Sequence, residues 1–334
     1  MGRTLAFKGR PQISAASSIV GPKEGLGPLA SCFDEIMQDD LLGLDSWEKA
    51  ESEMIRRAAM MCIEQVNMSI EDVDVMLCGD LLNQIIASGF AARALGVPFL
   101  GLYGACSTMV EAIILGAALV DSGYRKNAMC AASSHFCSAE RQYRFPLEMG
   151  TQRPPSAQWT ATACGTLMLV PKAEKPLACV THGTLGVVTD YEIKDANQMG
   201  AAMAPAVADT LQAHLRDLDR TPEDYDLIVT GDLGYIGRNI LHELLKQREI
   251  HVRDEQLVDC GASLFYQEQD THAGASGCGC VAAVTCGKFL KELRDGKHSR
   301  ILVLGSGAML SPISTQQGES IPCISYGVAL EGVD

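Results

Sequence analysis

A cysteine at the start of a predicted helix is the residue of this sequence best placed to do chemistry. The apolar run Val97–Tyr103 leads into a Gly-Ala-Cys-Ser turn at 104–107, and an apolar helix is predicted to follow directly. Cys106 therefore faces unpaired backbone N–H groups and the positive end of the helix dipole. Such surroundings favour the thiolate and lower the pKa of a cysteine. We expect Cys106 to react, to bind a ligand or only to pack, with a functional role favoured.

Polar side chains also follow three predicted strands. Asp80 and Asp232 each come directly after a strand, where an aspartate either caps the next turn or binds a cation such as calcium. A capping role is favoured for Asp232, whereas Asp80 leads into the polar pair Asn83-Gln84 and is kept as a ligand candidate. Ser134 and His135 follow the strand predicted at 128–133, where they either form a turn or bind a carboxylate.

The run Thr-His-Ala-Gly-Ala-Ser at 271–276 precedes a long helix predicted over Ala273–Leu293. We expect the start of that helix to lie opposite the start of the Cys106 helix. His272 and Ser276 then belong to the same pocket as Cys106. The alternative is that His272 caps the helix or lies on the surface.

A long polar connection is predicted over residues 135–160. It contains Arg141 and Arg144, whose planar guanidinium groups could clamp a dicarboxylate, although a solvated or dimer-contact role is favoured. Trp159 could stack on an aromatic ligand, but a core position is the more common one. Connections of this length are usually functional or form oligomer contacts.

An internal repeat organises the elements around these residues. The segment Glu71–Leu81 matches Glu223–Leu233, with Glu, Asp, Asp, Gly, Asp and Leu recurring in register. Helices and strands alternate in the same order on both sides, which predicts two similar α/β halves packed together. We divide the chain into an N-terminal half, 1–190, and a C-terminal half, 191–334.

Composition narrows the class of protein. The 334 residues carry a formal net charge of −14, which argues against binding to nucleic acid or to anionic lipid. The 13 cysteines lack paired zinc spacing, so we expect no metal site. Their odd number and the absence of a secretory signal predict a reducing cytosol and no disulfides. Neither a signal peptide nor an apolar run of spanning length is predicted, so we expect a soluble chain.

The turn Gly104-Ala105-Cys106-Ser107-Thr108 resembles the nucleophile turn of third-class ketoacyl synthases, and the duplicated element order resembles the thiolase fold. This resemblance implies a duplicated five-layer α-β-α-β-α architecture and a homodimer. Condensing enzymes of this fold have a histidine after the strand that here precedes Gly231, and an asparagine in the turn that here contains His272. The resemblance therefore implies that the catalytic histidine is lost, with Gly231 in its place, and that the catalytic asparagine is replaced by His272.

The stretches GACSTMVEA, SSHFCSAERQYRFP and DTHAGASGCGC resemble the stage V sporulation protein AD family. That resemblance implies binding of dipicolinic acid, free or as its calcium chelate, by a peripheral component of a spore inner-membrane channel. Membrane proteins of that channel would be its partners, and no cofactor is implied. The expected ligand-binding residues are the set introduced above: Cys106, His272, Asp80, Ser134, His135 and Ser276.

Two other functions stay open at this point. A Cys106–His272 pair could support acyl transfer, which would make the chain a condensing enzyme or acyltransferase. A structural subunit with a vestigial pocket is the third possibility. The leading hypothesis is a binding protein without enzymatic activity.

Overall fold

The structure, a computed structural model, describes residues 2–143 and 152–333. The first part of the chain alternates strands with helices. In order these are β1 (Thr4–Ala6), β2 (Gln12–Val20), β3 (Glu35–Ile36), α1 (Trp47–Gln65), β4 (Met76–Gly79), α2 (Ile86–Leu95), β5 (Phe99–Gly101), α3 (Thr108–Asp121), β6 (Ala128–Ser134), α4 (Phe136–Tyr143), β7 (Trp159–Thr160) and β8 (Ala163–Val170).

The second part repeats this alternation. Its elements are β9 (Ala178–Thr184), α5 (Met199–Leu218), β10 (Leu227–Thr230), α6 (Gly234–Gln247), β11 (Leu257–Asp259), α7 (Cys260–Ser263), β12 (Ala275–Ser276), α8 (Cys278–Val284), α9 (Leu290–Arg294), β13 (Arg300–Ala308), α10 (Pro312–Gln316) and β14 (Cys323–Glu331). A π-helical turn, Thr285–Phe289, joins α8 to α9.

The strands form two five-stranded units with the same order. One unit has the spatial order β5-β4-β6-β8-β2 and the other β11-β10-β13-β14-β9. When the strands of each unit are numbered in chain order, both units have the spatial order third, second, fourth, fifth, first. The units meet edge to edge where β2 pairs with β9 through two residue pairs. The shared order confirms the duplication that the sequence repeat predicts.

The junction between the halves lies earlier than residue 190. Strand β9 pairs along most of its length with β14, in the sheet of the second half, and only briefly with β2. The second repeat therefore begins at Ala178, and the division at 190 placed its first strand in the wrong half. Sequence alone misassigned this strand because β8 and β9 follow each other closely and look like a hairpin.

Five layers result from the packing of helices on these sheets. Helices α1 and α2 cover the outer face of the first unit, α5 and α6 cover the outer face of the second, and α3 and α8 pack between the two. Three apolar clusters fill the four interfaces, the largest of them around α3 and α8. Of the helices in residues 2–143 and 152–333, none is long and apolar enough to cross a membrane.

The repeated sequence segments have the same local structure. Ser69 and Thr221 each begin a short 3-10 turn closed by a capping box, and the strand β4 or β10 follows. Asp74 and Asp226 each accept backbone N–H groups from the residues that lead into the neighbouring strand. The match therefore reflects the same turns and strand contacts in both halves.

Two predicted segments differ from the structure. The connection over 135–160 contains the helix α4 and the strand β7 in its described part. The long helix begins at Cys278 and not at Ala273, because Ala275 and Ser276 pair with β7 and the flanking Gly274 and Gly277 have positive φ. Pairing with a distant strand decides both differences, and local sequence pattern does not show it.

Candidate functional site

A cavity of about 320 Å³ opens where the two halves meet, at the start of α3. Both halves contribute to its wall. The lining residues are Leu81, Asn83, Tyr103, Ala105, Cys106, Ala139, Glu140, Tyr143, Thr160, Met199, Ser276, Ala308, Met309, Leu310 and Ser311. None of these described lining residues is basic, and Glu140 is the charged side chain among them.

Cys106 lies in a tight turn between β5 and α3. The turn is a 3-10 helix, Ala105–Ser107, and Ala105 has the left-handed φ of +52°. Thr108 holds the turn closed, because its hydroxyl donates to Ala105 O at 2.7 Å and accepts from Gly104 N at 3.2 Å. The thiol is 6% exposed and forms part of the cavity wall. This confirms the predicted helix start, with the thiol one turn before α3 begins.

The Cys106 thiol lies beside a buried carboxylate. That carboxylate belongs to Asp232, and the N–H of Gly277 donates to its Oδ2 at 2.9 Å. Burial, followed by the negative charge of Asp232, raises the pKa of Cys106 well above its usual value. The sequence-based expectation of a lowered pKa is therefore wrong: the helix start is present, but desolvation and the adjacent carboxylate outweigh it.

Asp232 is fully buried below the cavity. Its carboxylate accepts hydrogen bonds from Gly277 N at 2.9 Å and from Ser306 Oγ at 3.2 Å, and the thiol lies beside it. Burial raises the pKa of Asp232 to about 7. The favoured interpretation as a turn cap is wrong, because both donors belong to elements that lie far from Asp232 in the chain. The signal in the sequence was its position beside Gly231, where condensing enzymes have their histidine.

Asp80, the repeat counterpart of Asp232, is a turn and helix cap. Its Oδ1 accepts from Leu82 N at 2.9 Å, and its Oδ2 accepts from the backbone N–H and hydroxyl of Ser88 at 2.7 Å. Buried Glu51 lies near it, and desolvation raises the pKa of both carboxyl groups. Asp80 does not line the cavity, so it acts as a cap and not as the ligand-binding residue expected from sequence.

Ser134 and His135 hold backbone segments together away from the cavity. Ser134 Oγ donates to Ala161 O at 2.7 Å and accepts from Gly279 N at 3.2 Å. His135 Nδ1 accepts from Cys137 N at 3.2 Å, so Nε2 carries the hydrogen and donates to Asp40 O at 2.7 Å. Neither side chain lines the cavity, and burial lowers the pKa of His135.

His272 and Ser276 separate in the structure. Ser276 lines the cavity, as predicted. His272 lies six residues before α8, with φ of +52°, and its ring is 3.8 Å from Asp270 near the surface. The prediction that His272 faces Cys106 depended on a helix start at 273, which is wrong. All seven histidines fall within the described residues, and none lines the cavity.

The aromatic and arginine candidates are structural where the structure describes them. Trp159 stacks on Phe136 with ring centroids 3.7 Å apart, and Lys23 Nζ lies 4.2 Å from its ring. Arg141 pairs with Glu48 and lies over the ring of Trp47. Arg144 lies outside the described residues.

Several cavity groups were not singled out from sequence. The hydroxyls of Tyr103 and Tyr143 are 3.0 Å apart, and Tyr103 also donates to Asn83 Oδ1 at 3.5 Å. Thr160 Oγ1 donates to Glu140 Oε1 at 3.1 Å. Glu140 and Tyr143 are three residues apart on α4 and therefore share a face. The helical spacing of Glu140 and Tyr143 could have identified this face from the sequence. It was missed because residues 135–160 were predicted to form a loop.

Comparison with solved structures defines the class of protein. Human mitochondrial 3-ketoacyl-CoA thiolase in complex with CoA superposes with a TM-score of 0.60 over 99% of this chain and 100% of that one, at 12% identity. The 3-oxoacyl-[acyl-carrier-protein] synthase III of Aquifex aeolicus VF5 gives a TM-score of 0.57 over 96% of this chain and 99% of that one, at 11% identity. The chain therefore has a thiolase-like fold, as predicted.

The particular family follows from sequence comparison. Residues 1–331 match the model of the family described as stage V sporulation protein AD. The stage V sporulation protein AD of Bacillus subtilis (strain 168) is 42% identical over 330 residues, which cover 98% of this chain and 96% of that protein. The chain belongs to the stage V sporulation protein AD family, and this membership supports a role in sporulation.

Proposed function

We propose that this chain binds dipicolinic acid, free or as its calcium chelate, in the cavity beside Cys106. In this proposal it serves the uptake of dipicolinate in sporulation and its release in germination. It does so as a homodimer, together with membrane proteins of a spore inner-membrane channel. Family membership and the chemistry of the cavity support this function.

The observation that carries the binding function is the burial of the Cys106 thiol beside the buried carboxylate of Asp232. A thiol next to a buried carboxylate keeps its proton, and the thiolate is the form that attacks a thioester. Condensation also requires donors that stabilise the substrate oxygen, and no histidine lines the cavity to supply one. These features favour binding over acyl transfer.

The cavity wall matches a flat aromatic dicarboxylate. Leu81, Ala139 and Leu310 supply apolar surface for a ring. The hydroxyl of Tyr103 and the amide of Asn83 border that surface, and such groups can donate to carboxylate oxygens. The start of α3 adds the positive end of a helix dipole. An anion can therefore be bound without a basic side chain.

Calorimetric titration with dipicolinate, with and without calcium, tests the proposal. We expect saturable binding of one ligand per chain. Loss of the Tyr103 hydroxyl in Tyr103→Phe should weaken binding about tenfold, the equivalent of one hydrogen bond to a charged group. The matched control is Tyr124→Phe, because Tyr124 is 75% exposed and does not line the cavity.

Two results would contradict this function. One is the absence of saturable binding by the unaltered chain. The other is a stable acyl adduct on Cys106 after incubation with acyl-CoA thioesters, detected by intact mass and lost in Cys106→Ala. The adduct would favour the acyltransferase alternative.

A further inference from the structure

The buried carboxylate of Asp232 has no cationic partner among the described residues. Its hydrogen-bond donors are Gly277 N–H at the start of α8 and the Ser306 hydroxyl on β13, and the Cys106 thiol lies beside it. The other titratable groups that face it are Asp259 at the end of β11 and the thiols of Cys260, Cys278, Cys280 and Cys323. All of these are acidic or neutral.

This carboxylate lies next to the cavity wall. Ser276 lines the cavity, and the N–H of the next residue, Gly277, donates to Asp232 Oδ2 at 2.9 Å; Cys106, which also lines the cavity, lies beside the same carboxylate. An anion that occupies the cavity beside Cys106 therefore lies close to a buried negative charge, in surroundings that water screens poorly. Protonation of Asp232 removes that repulsion.

We propose that Asp232 is the positioning residue through which this site discriminates between ligand charge states. A dicarboxylate dianion binds together with one proton, which passes from solvent to a carboxylate oxygen of Asp232. The neutral calcium chelate binds without that proton. The inference rests on the proposed function, since it concerns the ligand of the same cavity.

The direction of the pH dependence follows from linkage. The pKa of Asp232 is about 7 in the unliganded chain, and a nearby anion raises it further. Near pH 8, Asp232 is mostly ionised before the dianion binds and protonated afterwards, so binding takes up a proton. Near pH 6 it is mostly protonated already, and uptake disappears. Above about pH 7, affinity for the dianion should fall by up to about tenfold per pH unit.

Calorimetry in buffers with different ionisation enthalpies measures this proton uptake directly. Dipicolinate with a chelator of calcium is titrated at about pH 8 and about pH 6, and the preformed calcium chelate is titrated in parallel. For the dianion we expect close to one proton taken up per ligand at the higher pH and close to none at the lower. For the chelate we expect close to none at either pH.

Three variants locate the proton. Asp232→Asn should still bind the dianion, with no proton uptake and an affinity independent of pH. Asp80→Asn is the matched control, because Asp80 is the repeat counterpart, buried but away from the cavity, and uptake should persist. Glu140→Gln tests the other carboxylate of the site, and uptake should persist there as well.

Each contrary result has a distinct meaning. Binding of the dianion without proton uptake at either pH overturns the inference and leaves the proposed function standing. Uptake that persists in Asp232→Asn but disappears in Glu140→Gln assigns the proton to Glu140 and also overturns it. Absence of binding by the unaltered chain overturns the proposed function and the inference together. The titrations of the unaltered chain decide the matter even if a variant does not fold.

Discussion

At the scale of single residues, the chemistry of Cys106 depends on what its thiol contacts. Its position before a helix favours a thiolate, but burial and Asp232 act in the opposite direction and prevail. The helix contribution is small, up to about 2 kcal/mol, whereas desolvation of a buried charge is larger. A nucleophile turn with its thiol held protonated is consistent with a binding site.

Alkylation kinetics test this assignment at Cys106. Iodoacetamide at neutral pH should modify Cys106 at least about tenfold more slowly than a free thiol in solution, because little thiolate is present. In Asp232→Asn the rate at Cys106 should rise, since the charge that raises the pKa of the thiol is removed. Peptide mass mapping follows each of the 13 cysteines separately. Fast alkylation of Cys106 in the unaltered chain would contradict the assignment.

At the scale of elements, the turn before α8 brings Asp232 and Cys106 together. Gly277 has φ of +109°, and its N–H donates to Asp232 Oδ2 at 2.9 Å. A Cβ at this position would lie 2.6 Å from Ser134 Oγ. The turn therefore requires glycine for two independent reasons: the backbone conformation and the close approach of β6.

The stability of Gly277→Ala tests both reasons against a matched control. Gly318 has φ of +76°, and a Cβ there meets nothing within 4 Å, so Gly318→Ala retains the backbone strain without the clash. We expect a loss of about 1 kcal/mol for Gly318→Ala and of about 3 kcal/mol for Gly277→Ala in urea unfolding. Equal losses would show that the contact with Ser134 has no energetic effect.

At the scale of the whole molecule, buried carboxyl groups with a raised pKa are a shared feature of the two halves. Burial raises the pKa of Glu24 and of Asp232 to about 7 and that of Asp259 to about 6. It also raises the pKa of the neighbouring Glu51 and Asp80. The folded chain therefore binds more protons than the unfolded chain in the neutral range.

Stability should accordingly increase as pH falls from about 8 to about 6.5. A carboxyl group with a raised folded-state pKa contributes stability that is complete below its unfolded pKa and is lost as pH rises through its folded pKa. Three histidines whose pKa is lowered by burial (His135, His182 and His214) oppose this, but mainly below about pH 6.5. The net gain in the free energy of unfolding over this range is about 2 kcal/mol.

Thermal or urea unfolding across this pH range measures the effect. Glu51→Gln removes one of the responsible groups while it keeps one oxygen, which can accept from either Ser133 or Ser138. Its stability should therefore depend less steeply on pH than that of the unaltered chain. A stability that is constant or that falls between about pH 8 and about pH 6.5 would contradict the prediction.

Local pattern was sufficient to predict most of the architecture. Helix α1 begins directly after an N-cap residue, Ser46, whose Oγ accepts from Lys49 N at 3.3 Å. Strands β4 and β10 occupy equivalent positions in the sheets of their units, as the repeat predicts. These features depend on hydrophobic periodicity and turn chemistry within a few residues. Element existence, order and duplication can therefore be derived from one sequence.

The site depended on contacts that cross the molecule. The sequence by itself determined that a thiol stands before a central helix and that an aspartate follows the equivalent strand in each half. Only the tertiary structure decided that Asp232 contacts that thiol, that Asp80 caps a helix and that His272 lies away from both. The reason is physical. Two contacts determine which side chains meet: the pairing of residues 275–276 with β7 and the packing of α8 against α3. Both contacts join segments that lie far apart in the chain, so local sequence pattern does not reveal them.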